Sequence, residues 1–357
     1  MGALVLQSAS EFTTEIANQT LADWAGEAIT HVDVSPLGEG VGLMSSIARA
    51  DLALASGASR SVIVKVIAQT ENVGISKELN FYSNEVNFYR YLAASCPVPV
   101  PACLFADIDA DTQDFLLILE DMGDAAAGDQ IAGCDEALMA QAFFRAGQLH
   151  GRYWDKTEQF DWLRYQNVPA LNQFRRDAIF IPGVKPTIEM FPHHFRGNLA
   201  EVVEKIGDQF VQIFERAMSG PQTVIHGDYR IDNMLLPERD GQVEIVAVDW
   251  QNTTGGKGPH DLAYFASQSC EPAVRRAKEM SALRDYHQIL LDEGAKNYSF
   301  DQCLEDYRLN LLITMITPIA ICGTLDAGND RGMSLGEVIL VRSLDALEVM
   351  ECADLLA

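Results

Sequence analysis

Residues 223–251 read T-V-I-H-G-D-Y-R-I-D-N-M-L-L-P-E-R-D-G-Q-V-E-I-V-A-V-D-W-Q, and the fold turns on this stretch. An apolar run, Val224–Ile225, ends at His226-Gly227-Asp228. A second short strand, Met234–Leu236, starts just after Asn233, and a third, Val243–Val248, ends at Asp249. Asp240-Gly241 is a strong two-residue hairpin signal, because the favoured tight turn needs positive φ at both central positions. Counting back from that turn pairs Leu236 with Ile245 and Asn233 with Val248, which makes Asn233 and Asp249 neighbours at the open end of a hairpin. Adjacent strands lie about 4.8 Å apart, so an amide oxygen and a carboxylate there can share one cation. Oxygen ligands of this kind suit Mg2+. Pro237 falls inside the hairpin, which only an edge or a bulge tolerates. Taken singly, Asp228, Asn233 and Asp249 each read as loop residues that cap turns. All three at strand ends in this register read as a site.

Outward from this segment, a chain of 357 residues exceeds what one hydrophobic core fills, so two lobes are expected. Residues 29–70 are β-rich: Ile29–Val34, a glycine cluster, Ile47–Ala55, and Ser61–Ala68 after a turn at Gly57–Arg60. Ser76–Ala94 reads as one helix, stopped before Cys96 and the P-V-P-V-P run at 97–101. Strands follow near Cys103–Ile108 and Phe115–Leu119, and the acidic, glycine-punctuated stretch Glu120–Asp129 is the candidate lobe boundary. Helical patterns then dominate at 135–154, 197–218, 272–293, 301–321 and 334–356. The pattern is that of an α+β protein with a β-rich lobe at 1–120 and a larger, mainly helical lobe at 121–357.

H-G-D-x-x-x-x-N followed by an apolar strand ending V-D-W resembles the aminoglycoside phosphotransferase and choline kinase superfamily, which has the protein-kinase-like fold. Gln251 after V-D-W and the later G-x-G-P-H-D-L-A-Y-F are most similar to its ecdysteroid-kinase-like and related bacterial branches. The motif differs from the H-R-D-L-x-x-x-N and D-F-G of eukaryotic protein kinases in carrying Gly227 and Trp250. The resemblance implies a bilobal, small-molecule kinase that uses ATP and Mg2+ to phosphorylate a hydroxyl. Asp228 is then the base that accepts the hydroxyl proton, and Asn233 and Asp249 hold magnesium. Phosphoryl transfer asks for positioning and charge neutralisation more than covalent chemistry, which suits this residue set. Arg230, two residues after the base, either reaches the γ-phosphate or is a surface arginine. His226 reads as a structural loop residue, and Asp261 as the anchor of the loop after Trp250.

On the nucleotide side, Ser61, Ile63, Lys65 and Ile67 share one strand face. A lysine flanked by isoleucines is costly there unless its charge is answered. Glu85 sits on an apolar stripe with Tyr82, Tyr89 and Leu92 and needs a partner too. Two independently snorkelling side chains are one solution. A Lys65–Glu85 ion pair aiming the ammonium at the α- and β-phosphates, as in kinases, is the more economical one. P-L-G-E-G-V-G at 36–42 offers Gly38, Gly40 and Gly42 for a loop folding over phosphates, although Leu43 stands where a third motif glycine would. Glu120-Asp121-Met122-Gly123 resembles the segment that joins the lobes, and its backbone is expected to bond adenine. The region 155–200, with Trp162, Phe174, Arg175, Arg176 and His193-His194, is expected by family analogy to form part of the acceptor pocket.

Composition narrows the partners. Fifty-one acidic against 26 basic residues give a net charge of −25, which disfavours nucleic acid and anionic membrane surfaces. Seven scattered cysteines without C-x-x-C point to reduced thiols in a cytoplasmic protein. The longest apolar stretch, Leu309–Cys322, is too short and interrupted to span a bilayer. The expected partner is a small hydroxylated molecule. Aminoglycoside, choline-like amine, sugar, steroid and other alcohols stay open, as do monomer and homodimer. The main alternative is a catalytically silent kinase fold, although such relatives usually lack one of Lys65, Glu85, Asp228, Asn233 and Asp249. A protein kinase is disfavoured, since no A-P-E follows Asp249.

Overall fold

The computed structural model describes residues 2–37, 45–68, 73–123, 125–324 and 330–356. They form two compact units. The first comprises Met1–Ala125 with the returning segment Val246–Thr253, and the second Ala126–Ile245 with Thr254–Ala357.

The first unit is built on an antiparallel five-stranded sheet of β1 (Ile29–Pro36), β2 (Ser45–Leu54), β3 (Ser59–Ile67), β4 (Cys103–Ile108) and β5 (Phe115–Glu120), in the order β1-β2-β3-β5-β4. The two-residue period sets its faces. Val62, Val64 and Val66 are fully buried in one cluster with Ala17, Leu21 and Ala25 of helix α1 (Thr14–Ala25). Burying each such valine contributes roughly 1.5–3 kcal/mol. Thr13 caps α1 by accepting the Ile16 N–H, and Gly26 closes it in the left-handed region. The alternate residue of β3, Lys65, lies opposite Ile47 of β2 and Leu117 of β5.

The single helix expected over 76–94 is instead α2 (Val73–Glu78) and α3 (Phe81–Asn87). Asn80 stands between them at φ 59°, a left-handed conformation that asparagine tolerates and a helix cannot contain. The chain runs on through a wider π turn, Phe88–Leu92, and a 3-10 turn, Ala93–Ser95, before the prolines end it.

The second unit is mainly helical: α4 (Glu136–Arg152), α5 (Pro169–Phe174), α6 (Ile181–Met190), α7 (Leu199–Asp208), α8 (Phe210–Ala217), α9 (Pro259–Ser269), α10 (Pro272–Asp292), α11 (Phe300–Thr314), α12 (Ile316–Gly323) and α13 (Asp330–Val349). The expected helices at 197–218 and 301–321 are each two pieces. The second breaks at Met315, which lets Pro318 fall in the first turn of α12, where its missing N–H costs nothing. Helices α4 and α10 approach closely at Gly147, where a Cβ would meet Ile289 at 3.2 Å.

The short strand Thr223–Ile225 pairs antiparallel with Thr254–Gly256, a strand that periodicity did not announce. The Asp240-Gly241 turn has positive φ at both positions, 52° and 75°, and it pairs Arg239 with Gln242 and Glu238 with Val243. At the tip this agrees with the count from the sequence, although the strand expected over Val243–Val248 is two short pieces, Gln242–Val243 and Val246–Ala247. Pro237 leaves the ladder as a donor and accepts the Glu244 N–H at 3.0 Å. The chain is thus an α+β protein with an N-terminal antiparallel sheet and a helical remainder. Among the described residues, no helix is long and apolar enough to cross a membrane.

Candidate active site

In the first unit Lys65 is 5% exposed, and its Nζ lies 2.7 Å from Glu85 Oε2 and 2.9 Å from Asp249 Oδ1. Burial alone would depress the lysine, but the Asp249 and Glu85 carboxylates more than offset it and hold Lys65 above the ordinary range. Burial pushes the Glu85 carboxyl up, with Lys65 pulling against it. The two groups sit at ion-pair separation, with the lysine held protonated. Three chain segments therefore meet on one ammonium.

Helix α3 and its π turn hold the V-D-W-Q segment in place. Glu85 answers Lys65, Asn84 Nδ2 donates to the Gln251 carbonyl at 3.1 Å, and Phe88 stacks on Trp250 with ring centroids 3.8 Å apart and planes 5° from parallel. Trp250 is fully buried and its indole N–H donates to the Ala247 carbonyl at 3.2 Å. Asp249 itself adopts φ 62°, which turns the chain sharply at the end of the strand segment Val246–Ala247. Glu120 closes β5, and its backbone N–H donates to the Ala102 carbonyl at 2.8 Å. Asp121 pairs with Arg49 at 2.9 Å. Gly38, Gly40 and Gly42 lie outside the described residues, in the connection between β1 and β2.

In the second unit Asp228 follows the strand Thr223–Ile225 through His226-Gly227, and Gly227 takes φ 81°, a conformation a Cβ would strain. The Asp228 carboxylate meets Arg230 Nε at 3.2 Å through Oδ1 and accepts from Asn233 Nδ2 at 2.9 Å through Oδ2. The same Nδ2 donates to the Asp228 carbonyl at 2.9 Å, so the Asn233 amide nitrogen is committed and its Oδ1 accepts no hydrogen bond from the described residues. Asp249 belongs to the first unit, and Asp228 and Asn233 to the second.

The residue that fixes this loop is Asp261, near the start of α9. Its buried carboxylate accepts the His226 N–H at 2.7 Å and the Gly227 N–H at 2.9 Å, and it meets His150 Nε2 at 3.2 Å. Asp261 therefore anchors the loop that carries Asp228, not the loop after Trp250 as the sequence suggested. Burial opposes its ionisation, but the hydrogen bond and charge of His150, with His226 and His260 beyond, hold its carboxyl below the usual range. His150 in turn meets the Tyr286 hydroxyl at 3.1 Å.

Sequence reasoning missed two neighbours of the Gly227-Asp228 turn, both on α9. His260, kept low chiefly by burial, meets Gln166 Nε2 at 3.0 Å and Asn310 Oδ1 at 3.1 Å, and Gly227 contributes a backbone hydrogen bond. Tyr264, one turn on, has its phenol pushed up by burial and then by the Asp228 charge. Their signal was present in P-H-D-L-A-Y-F, where His260, Asp261 and Tyr264 fall on adjoining positions of one helical turn.

A five-stranded antiparallel sheet followed by a helical unit, with a buried lysine–glutamate pair in the first and an H-G-D loop in the second, defines the protein-kinase-like class. The chain belongs to the ecdysteroid kinase-like family, whose model matches residues 39–297. An uncharacterized kinase-like protein of Caenorhabditis elegans is 22% identical over 249 residues, which is 67% of this chain and 64% of the relative's length. Among solved structures, a microcompartment-associated aminopropanol kinase is 14% identical with a TM-score of 0.52, covering 96% of this chain and 99% of its own. The GDP and kanamycin complex of APH(2")-IIia is 14% identical with a TM-score of 0.50, covering 96% and 98%. At these identities the structural likeness is one of fold.

Proposed function

We propose that the chain is an ATP- and Mg2+-dependent phosphotransferase that moves the γ-phosphate onto a hydroxyl of a small molecule. The observation that carries this reading is the buried Lys65 ammonium held between Glu85 and Asp249, at 2.7 and 2.9 Å. A lysine fixed in this way is the device by which kinases meet the α- and β-phosphates. In this reading Gly38, Gly40 and Gly42, which lie outside the described residues, are the candidate glycines of the phosphate loop. Glu120 and Met122 offer backbone groups to adenine, and the Met122 N–H has no partner among the described residues. In this division of labour the first unit binds nucleotide and the second supplies the base and the acceptor pocket.

Asn233 and Asp249 are the magnesium ligands in this reading. An amide and a carboxylate oxygen are hard donors of the kind Mg2+ takes, and the Asn233 amide has its nitrogen committed to Asp228, which leaves Oδ1 for the ion. When bound, the metal neutralises charge on the phosphate oxygens. Asp228 accepts the proton of the acceptor hydroxyl as that oxygen bonds to the γ-phosphorus and the bridging P–O bond to ADP breaks. Arg230 steadies the Asp228 carboxylate and adds positive charge near the transferred group. The aminopropanol kinase and the kanamycin-bound APH(2")-IIia support small amino alcohols and aminoglycosides as the first acceptors to try.

The test is purified chain with Mg-ATP and a panel of aminoglycosides, choline-like amines, amino alcohols, sugars and sterols, scored by ADP release and phosphorylated product. Acceptor-dependent turnover is expected, abolished in Asp228→Asn while ATP binding survives. Tight nucleotide binding without turnover on any acceptor, or an Asp228→Asn variant as active as the parent, would retire the proposal.

A further inference from the structure

We infer that His193, His194 and Glu337 form a binding site for a divalent transition metal of the zinc class, which gives the His193-His194 pair a role other than the acceptor-pocket lining expected from the sequence and uses none of the residues assigned to nucleotide, magnesium or proton transfer. The two histidines follow α6 in a turn closed by the His194 N–H donating to the Phe191 carbonyl at 3.1 Å. Phe191 is buried and the His194 ring stacks on it, with centroids 6.0 Å apart. Glu337 comes from α13, 143 residues further along the chain. Its Oε1 lies 2.9 Å from His194 Nε2 and 3.9 Å from His193 Nε2, and one donor atom from each of the three residues lies within 4.8 Å of the other two.

These separations match what one ion requires. Zinc takes imidazole nitrogen and carboxylate oxygen at about 2.0–2.2 Å in tetrahedral geometry, which puts neighbouring donors about 3.4 Å apart. The two carboxylate–imidazole separations of 2.9 and 3.9 Å bracket that value, and with every donor within 4.8 Å of the others, side-chain rotation is what closes the set onto one ion. Two imidazoles and a carboxylate with a position left for water is a common zinc set. Imidazole also selects zinc, cobalt, nickel and copper over magnesium, which separates this site from an all-oxygen one. A simple His194–Glu337 ion pair accounts for one ring only and, with Glu337 44% exposed, is worth less than about 1 kcal/mol. It does not explain why the His193 ring, 66% exposed and free to turn to solvent, lies with its centroid 3.9 Å from that of His194. Bound metal would tie the segment after α6 to α13.

The test is calorimetric titration of the full chain, stripped with EDTA and dialysed, with Zn2+ and Co2+ in the presence of excess Mg2+. One zinc-class ion is expected, with Co2+ giving visible d–d bands and no thiolate charge-transfer band. His193→Ala and Glu337→Gln should each weaken binding at least about tenfold, and the double variant should abolish it. Both side chains are exposed, so without metal the variants should unfold within about 1 kcal/mol of the parent, and Zn2+ should stabilise the parent more than either single variant and the double variant not at all. Absence of uptake by the parent under excess Mg2+, unchanged uptake by the double variant, or a thiolate band would each overturn the site.

Discussion

Replacing Asp261 with asparagine isolates what holds the Asp228 loop. The wild-type carboxylate accepts two backbone N–H groups, His226 at 2.7 Å and Gly227 at 2.9 Å, and meets His150 Nε2 at 3.2 Å, all in a fully buried setting. Asparagine has nearly the same shape but one acceptor oxygen, so one backbone N–H is left facing an NH2 group. Hydrogen bonds to a charged acceptor contribute about 1.5–3 kcal/mol, neutral ones about 0.5–1.5, and an orphaned buried donor costs about 1–3. One bond weakened and one converted to an unsatisfied pair gives a loss of about 3–5 kcal/mol. Urea unfolding of parent and variant measures it. The sign of the pH dependence follows from the depressed Asp261 carboxyl. A group whose folded-state pKa is lowered contributes fully above its unfolded value, about 3.9, and loses that contribution as pH falls through the folded value. The gap between parent and Asp261→Asn should therefore hold from neutral pH down to about 4 and narrow below it. Turnover should fall with the displaced Asp228, while ATP affinity is retained. A loss under about 1 kcal/mol, or a gap that persists unchanged in acid, would refute the loop-anchor assignment.

Lys65→Met leaves Glu85, 2% exposed, as an uncompensated buried carboxylate, and should cost about 3–5 kcal/mol at neutral pH by chemical denaturation. Because burial already pushes Glu85 up, that loss should shrink as pH is lowered and the carboxyl takes up its proton. Asp249→Ala should weaken Mg-ATP binding itself in a nucleotide titration at fixed Mg2+, whereas Asp228→Asn should bind as the parent does. Gly227→Ala forces a side chain onto φ 81° and should lose about 1–2 kcal/mol in urea together with most turnover. Wild-type activity in that variant would show that Asp228 does not depend on the turn.

How far the fold was legible depends on whether a signal was local. The β-strands of the first unit could be read because alternation and turn residues act over a few positions, and the Asp240-Gly241 register followed from the turn alone. Helix ends set by one residue's conformation were harder. Nothing in the apolar stripe of 76–94 reveals that Asn80 takes φ 59° and splits it. Helix α1 carries a local signal of the same kind. Ala17, Leu21 and Ala25 recur every four residues, between a threonine cap and a closing glycine. The strand Thr254–Gly256 carries two glycines and forms only because Thr223–Ile225 lies beside it, a partner that no local pattern announces.

The site divides along the same line. Asp228 and Asn233 sit five residues apart, so their contact follows from one loop, and the Lys65–Glu85 pair was inferred because each charge was out of place on an apolar face. Asp261 and His150, 111 residues apart, offer no such anomaly, since an aspartate in the first turn of a helix and a histidine in a long one are both ordinary. Their role emerges only when the H-G-D backbone is followed donor by donor and two buried N–H groups are found on one carboxylate. The tryptophan of V-D-W is explained in the same way. It places a large flat ring against Phe88, on the π turn that follows Glu85, so the segment bearing Asp249 and the segment bearing the lysine's other carboxylate are packed as one. A change at Phe88 would thus disturb Lys65 through both of its partners at once.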